Sequence, residues 1–126
     1  MFEVTIEQTF AAGHALRNYH GKCENVHGHN YRCQVTMAGD QLDPAGLLVD
    51  FVELKKAVQS VINRMDHQWL NDFPPFDSLN PSAENMAKYI YEEVLKTIPR
   101  APGVRLESVR LWETDTSSAT YRPSVA

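Results

Sequence analysis

His27-Gly28-His29-Asn30-Tyr31-Arg32-Cys33-Gln34-Val35-Thr36-Met37 is the stretch on which the fold turns. Tyr31, Cys33, Val35 and Met37 recur at every second position, with Arg32, Gln34 and Thr36 between them. That is the period of a strand with one face packed and the other wet. His27 and His29 share the parity of Tyr31. If the strand extends back that far, both imidazoles face the packed side.

Upstream, residues 2–10 alternate in the same way, with Phe2, Val4, Ile6 and Phe10 set against Glu3, Thr5, Glu7 and Thr9. This predicts a strand that pairs antiparallel with the first. The stretch from Ala11 to Asn30 is long for a hairpin connection, and long irregular connections are where function concentrates. Downstream, Gly39 to Gly46 is turn-rich and closes the second strand. Asp50 reads as a helix N-cap, with Glu53 three residues on as an approximate capping box. Phe51, Leu54, Val58, Val61, Ile62 and Met65 keep helical spacing, which predicts an amphipathic helix over 51–65. Residues 66–79 form a loop broken by Pro74-Pro75. Asn80-Pro81 opens a second helix with Pro at its first position. Its apolar stripe is Ala83, Met86, Ile90, Val94 and Ile98, and Pro99 ends it. Residues 104–113 are strand again with a phase slip, Val104 and Leu106 even but Val109 and Leu111 odd, which places a bulge near Glu107-Ser108. A short strand around Ala119–Tyr121 follows a polar turn.

The order is strand, strand, helix, helix, strand, strand. Antiparallel hairpins with two helices on one face make an α+β fold. Residues 1–126 read as a single domain, with no internal repeat and no linker. Two open sheet edges invite completion by another subunit.

Composition excludes several functions. With 43% apolar and 22% charged residues the chain is ordinary globular material. Its 12 Lys and Arg are scattered and outnumbered by 16 Asp and Glu, for a net charge of −4. That argues against nucleic acid and against an anionic membrane surface as partners. No apolar run approaches the ~20 residues of a bilayer crossing. Met1-Phe2-Glu3 lacks the features of a signal peptide. Cys23 and Cys33 do not form a disulfide framework. The expectation is a cytoplasmic protein with reduced thiols.

The histidines carry the chemistry. His14 has the even parity of Phe2, Val4 and Ile6, provided Gly13 introduces no bulge. Paired antiparallel strands then bring His14 against His27 and His29. Three neutral imidazoles are the ligand set of an open catalytic zinc site, whose fourth position is left to water or substrate. Cys23, four residues before His27, has two readings. As a fourth ligand it closes the site and makes it structural; as a free thiol beside the metal it has a lowered pKa and serves as base or nucleophile. Cys33, mid-strand, is most simply a small buried hydrophobe. Asp66-His67 sits where the first helix ends. His67 there either offsets the helix dipole or, oriented by Asp66, moves a proton. Glu113 is in phase with Val109 and Leu111, and a buried carboxylate costs several kcal/mol unless paired. Its partner is an Arg (Arg105, Arg110 and Arg122 are near in sequence) or a ligand. An amidine-like heterocycle edge, as in a pterin or guanine, offers two parallel N–H donors to such a carboxylate.

Taken together, Cys23-x-x-x-His27-Gly28-His29, His14 upstream, Asp66-His67, Asn80-Pro81-Ser82-Ala83-Glu84 and Glu113-Thr114 resemble the 6-pyruvoyl-tetrahydropterin synthase family. The gap between Cys23 and His27 is most like its bacterial branch, 6-carboxy-tetrahydropterin synthase of the queuosine (7-deazapurine) pathway. The resemblance spans essentially the whole chain. It implies the tunnelling fold, in which trimers close a twelve-stranded barrel and two trimers stack as a homohexamer with active sites between subunits. It also implies Zn²⁺ on His14, His27 and His29, Cys23 as general base, Asp66 and His67 in proton transfer, and Glu113 as pterin anchor. The implied reaction converts 7,8-dihydroneopterin triphosphate to 6-carboxy-5,6,7,8-tetrahydropterin, acetaldehyde and triphosphate. The pyruvoyl branch stops before carbon–carbon cleavage. A third variant of the family forms a 6-hydroxymethyl pterin with a Glu in place of the Cys, and Glu24 stands where such a residue would be. Arg17 and Lys22 are candidate triphosphate ligands; their plainer role is solubility. A closed Cys-His₃ structural zinc protein is the alternative outside enzymology.

Overall fold

The computed structural model describes residues 1–17, 25–99 and 101–124. Strands β1 (Phe2–His14), β2 (His27–Gly39), β3 (Val104–Thr114) and β4 (Ser117–Tyr121) form one antiparallel sheet in the order β1-β2-β3-β4. Helices α1 (Phe51–Met65) and α2 (Ala83–Thr97) lie between β2 and β3 in the chain. This is the architecture the sequence pattern implies.

β1 and β2 pair without a break from Phe2↔Gly39 to His14↔His27. The second strand therefore does reach back to His27, and Gly13 introduces no bulge. The register sets Ile6 opposite Val35, Phe10 opposite Tyr31 and Ala12 opposite His29. These side chains share the face that the helices cover. Tyr31, Cys33, Val35, Met37, Val109 and Leu111 are buried there with Val58, Ile62, Met86 and Ile90 of the helices. The opposite face is polar. Thr5 and Thr36 hydroxyls meet at 3.0 Å, Gln34 donates to Glu7 at 2.9 Å, and the Arg32 and Arg110 guanidinium carbons lie 3.8 and 4.4 Å from the Trp112 ring centre.

The bulge falls where the phase slip places it. Thr36 pairs with Ser108 and Met37 with Leu106, so Glu107 is the extra residue. A second irregularity lies between Trp112↔Ser118 and Thr114↔Ser117. It leaves Glu113 without a partner on β4.

Three helical details differ from expectation. Phe51 is 46% exposed, and Ala57 takes a place in the buried stripe. At the first helical position Phe51 precedes the turn on which the stripe closes against the sheet. Asp50 caps α1 by accepting from the Val52 N–H at 2.8 Å. Pro81 is not the first residue of α2. Ser82 is the N-cap and accepts from the Asn85 N–H at 3.2 Å. Pro81 thus stands outside the helix, its carbonyl free to face the sheet. Between the helices a short 3-10 turn (Leu70–Asp72) carries Leu70 into the core, and Phe76 is buried beside it. Among the described residues no helix is long and apolar enough to cross a membrane.

Candidate metal centre and active site

The ends of β1 and β2 bring three imidazoles together. His14 is fully buried and closes β1; His27 and His29 open β2 on the same face. Ring centres lie 4.5 Å apart for His14–His27, 5.0 Å for His14–His29 and 4.7 Å for His27–His29. Glu113, two residues past Leu111 on β3, adds a carboxylate. Its Oε1 is 3.1 Å from His14 Nε2 and 3.4 Å from His29 Nε2.

Neighbouring carbonyls determine which nitrogen carries each proton. His14 Nδ1 is 2.7 Å from the Pro81 carbonyl oxygen and His27 Nδ1 is 2.6 Å from that of Asn25. A carbonyl only accepts, so each Nδ1 is the N–H and each Nε2 keeps its lone pair in the neutral ring. The Tyr31 hydroxyl lies 3.2 Å from the same His14 Nδ1, and burial keeps that phenol neutral by pushing its pKa up. His14 Nε2 and His27 Nε2 then face each other at 2.9 Å. His29 Nε2 is buried with no hydrogen-bond partner among the described residues.

Two facing lone pairs, an orphaned buried nitrogen and a carboxylate within 4.8 Å of one another make a set of acceptors that lacks its cation. Ligand atoms about 2.1 Å from a tetrahedral zinc stand ~3.4 Å apart. The His14 and His27 nitrogens, at 2.9 Å, are close to that separation, and the whole set lies within 4.8 Å. Three imidazoles suit a borderline divalent ion. The group fits a metal. Burial also holds the His14 and His29 pKa values below the usual imidazole range, against the pull of Glu113, which keeps both rings neutral and competent to bind.

Asp66 and His67 do touch. Asp66 Oδ1 is 3.0 Å from His67 Nδ1 and also accepts from the Ala11 N–H at 3.0 Å; the Ala11 bond is the chief reason its carboxyl stays below the usual range. His67 returns its own N–H to the Ala11 carbonyl at 2.6 Å. The pair is therefore pinned to the outer edge of β1. His67 holds φ at 59°, an uncommon value for a non-glycine residue and one that marks an over-determined position. It lines an open cleft of about 500 Å³ together with His29, Gly13, Gly28 and Trp69. Trp69 lies over Gly13, where even a Cβ would come within 3.1 Å of its ring.

Among the described residues Glu113 has no Arg partner. Arg105 bonds Glu107 at 2.7 Å and Arg110 bonds Ser118 at 3.0 Å. Glu113 instead stands between the imidazoles and a second cleft of about 380 Å³ along β4, lined by Ala83, Glu84 and Ser117 to Thr120. Cys33 is buried, and burial pushes its thiol up to about 12, so it is the inert hydrophobe the pattern suggests. Arg17 points its guanidinium at the carbonyls of Asn71, Phe76 and Leu79. Cys23, Glu24 and Lys22 lie outside the described residues. The sequence pattern missed the Pro81 and Asn25 carbonyls that orient the imidazoles; a backbone oxygen leaves no mark in residue type.

An antiparallel sheet that ends in three inward imidazoles and a carboxylate, backed by two helices, defines a metal-ready α+β protein. A family model described as 6-pyruvoyl tetrahydropterin synthase matches residues 3–124, and the chain belongs to that family. It is 39% identical over 130 residues to a protein of Bacillus subtilis (strain 168) named 6-carboxy-5,6,7,8-tetrahydropterin synthase, covering 97% of this chain and 86% of that one. It is 34% identical over 134 residues to a 6-pyruvoyl tetrahydrobiopterin synthase of Poecilia reticulata, covering 94% and 88%. The solved structure of Caenorhabditis elegans 6-pyruvoyl tetrahydropterin synthase superposes with a TM-score of 0.85 at 31% identity, over 98% of both chains.

Proposed function

We propose that the chain is a zinc-dependent lyase that converts 7,8-dihydroneopterin triphosphate to 6-carboxy-5,6,7,8-tetrahydropterin, releasing acetaldehyde and triphosphate, as in the queuosine pathway. The observation that carries the reading is the convergence of three imidazole nitrogens, two with their other nitrogen tied to a carbonyl, beside a carboxylate that borders a cleft. The likeness to the Bacillus subtilis protein and the three-residue gap between Cys23 and His27 favour the carboxy-forming branch.

His14, His27 and His29 are the proposed metal ligands. Bound there, a zinc ion would supply Lewis acidity toward the hydroxyl oxygens of the substrate side chain and so acidify the adjacent C–H. Cys23 is the proposed base that takes and returns that proton. Asp66 orients His67, which passes protons at the cleft. Glu113 accepts two parallel N–H bonds from the pterin edge, fixing the ring so that its side chain reaches the imidazoles. Two-electron reduction of the ring is matched by oxidation of the side chain, with one water consumed, so no outside electron carrier is needed.

The edges of β4 and of β1 before Ala11 support assembly of a cytoplasmic homohexamer whose active sites lie between subunits. A solution mass of six chains is the expected result, and a monomer would remove the inter-subunit part of the account.

The functional test is one incubation of the zinc-loaded protein with 7,8-dihydroneopterin triphosphate, with pterins identified by mass spectrometry and acetaldehyde trapped in parallel. Both 6-carboxy-tetrahydropterin and acetaldehyde are expected. A 6-pyruvoyl product without acetaldehyde would move the chain to the other branch, and a 6-hydroxymethyl product would bring in Glu24. No turnover would leave the closed structural zinc site.

A further inference from the structure

Beyond His14 the β1–β2 ladder stops, yet the outer edge of β1 stays hydrogen-bonded at every second residue. Ala11 bonds the Asp66-His67 pair, and the Gly13 N–H donates to the Gln68 carbonyl at 3.1 Å. Two side chains then continue the series. Asn71 Oδ1 accepts from the Ala15 N–H at 2.8 Å, and Asn71 Nδ2 donates to the Ala15 carbonyl at 2.8 Å. Asn80 Oδ1 accepts from the Arg17 N–H at 2.9 Å, and Asn80 Nδ2 donates to the Arg17 carbonyl at 2.8 Å.

A carboxamide is planar and carries a donor and an acceptor side by side, as a peptide group does. At residues 15 and 17 the two asparagines therefore stand in for a neighbouring strand, and they tie the chain down past the end of the ladder. Asn80 is also covalently next to Pro81, whose carbonyl fixes the Nδ1–H of His14. On the other side the Asn80 carbonyl accepts from Asn85 Nδ2 at 2.9 Å, tying the same peptide to the start of α2.

We infer that Asn71 and Asn80 are positioning residues of the metal centre: Asn80 holds the adjoining Pro81 carbonyl against His14, Asn71 holds the Ala15 peptide that follows His14, and together they set the tautomer and aim of that ligand. Nothing in the family likeness or in the proposed reaction assigns them this role. The inference rests on the metal reading of the histidine cluster, and its test keeps the two apart. Groups that orient metal-bound histidines typically change metal affinity 10–100-fold when removed.

Zinc affinity is measured by chelator competition on the full chain for wild type, Asn80→Ala, Asn80→Asp, Asn71→Ala and the control Asn63→Ala. Asn63 pairs with Gln59 on the exposed side of α1. In parallel, imidazole ¹⁵N shifts of the metal-free chains report the His14 tautomer, and thermal melts report folding. Asn80→Ala should lose at least tenfold in zinc affinity and give His14 a mixed tautomer. Asn80→Asp keeps the acceptor but not the donor and should fall between; Asn71→Ala frees Ala15 but leaves the Asn80-Pro81 peptide tied, and should lose less. Asn63→Ala should match wild type throughout. If Asn80→Ala does not fold, Asn80→Asp and Asn71→Ala decide. Lower melting temperatures with unchanged affinity and an unchanged His14 tautomer would overturn the inference. A wild-type chain that binds no zinc would overturn the metal reading, and the tautomer shifts alone would then decide the clamp.

Discussion

Burial opposes protonation of His14 against the pull of the Pro81 carbonyl and Glu113, and its two nitrogens face opposite ways: Nδ1 into the protein at Pro81, Nε2 into the cluster. The same separation of roles divides the two cysteines. Cys33 is sealed in the sheet with its thiol pushed up to about 12, whereas Cys23 is the proposed base. A thiol reagent added to the native, zinc-loaded protein should therefore modify Cys23 quickly and Cys33 only after unfolding. Cys23→Ala should abolish turnover and retain zinc; a chain that lost zinc with that change would make Cys23 a ligand. Glu113→Gln converts a double acceptor into a group that presents N–H toward the pterin's own N–H, and calorimetry should show ligand binding lost while zinc stays bound. At this scale the sequence is informative wherever parity decides. The phasing of His14, His27 and His29 is legible from alternation alone, because a strand has a fixed two-residue period. Parity puts Glu113 on the buried face, but its place among the imidazoles depends on the β2–β3 register, which residue type does not encode.

At the scale of elements, local rules and packing agree closely. The bounds of α1 follow from Asp50 and the spacing of Leu54, Val58, Val61, Ile62 and Met65. The Glu107 bulge follows from the odd–even slip in β3. The start of α2 was misread because Pro fits the first helical turn well, and only the cap geometry shows that Ser82 takes the role. That difference has a function, since a Pro81 inside the helix would not present its carbonyl to His14. Ser82→Ala removes the acceptor for the Asn85 N–H and should cost about 1 kcal/mol of stability in denaturant melts. It should also weaken zinc binding slightly, through the same turn. Loop 66–80 was legible only as a break between helices. Its work along the edge of β1 depends on contacts 54 to 63 residues distant in sequence, which no local pattern encodes.

For the whole molecule, the sheet end, the loop and α2 combine to keep imidazoles neutral in a folded chain. Burial lowers the His14 and His29 pKa values from the usual 6.5. Between 6.5 and those lower values the unfolded chain binds protons that the native chain refuses. Stability of the metal-free protein should thus be full above about pH 6.5 and decline as the pH falls through that window. Zinc should be released over the same range, since protons compete for the same nitrogens. Denaturant midpoints taken from pH 8 to 5 check the sign; a midpoint that rose as the pH fell would contradict it. The most direct test of the central claim, that these three imidazoles hold the metal that makes the chain a lyase, is acetaldehyde released from 7,8-dihydroneopterin triphosphate as zinc is titrated into the metal-free protein. Release should climb with added zinc, reach its plateau at one zinc per chain, and be absent from His29→Ala at every zinc level. Equal release from metal-free protein, or undiminished release from His29→Ala, would contradict the account.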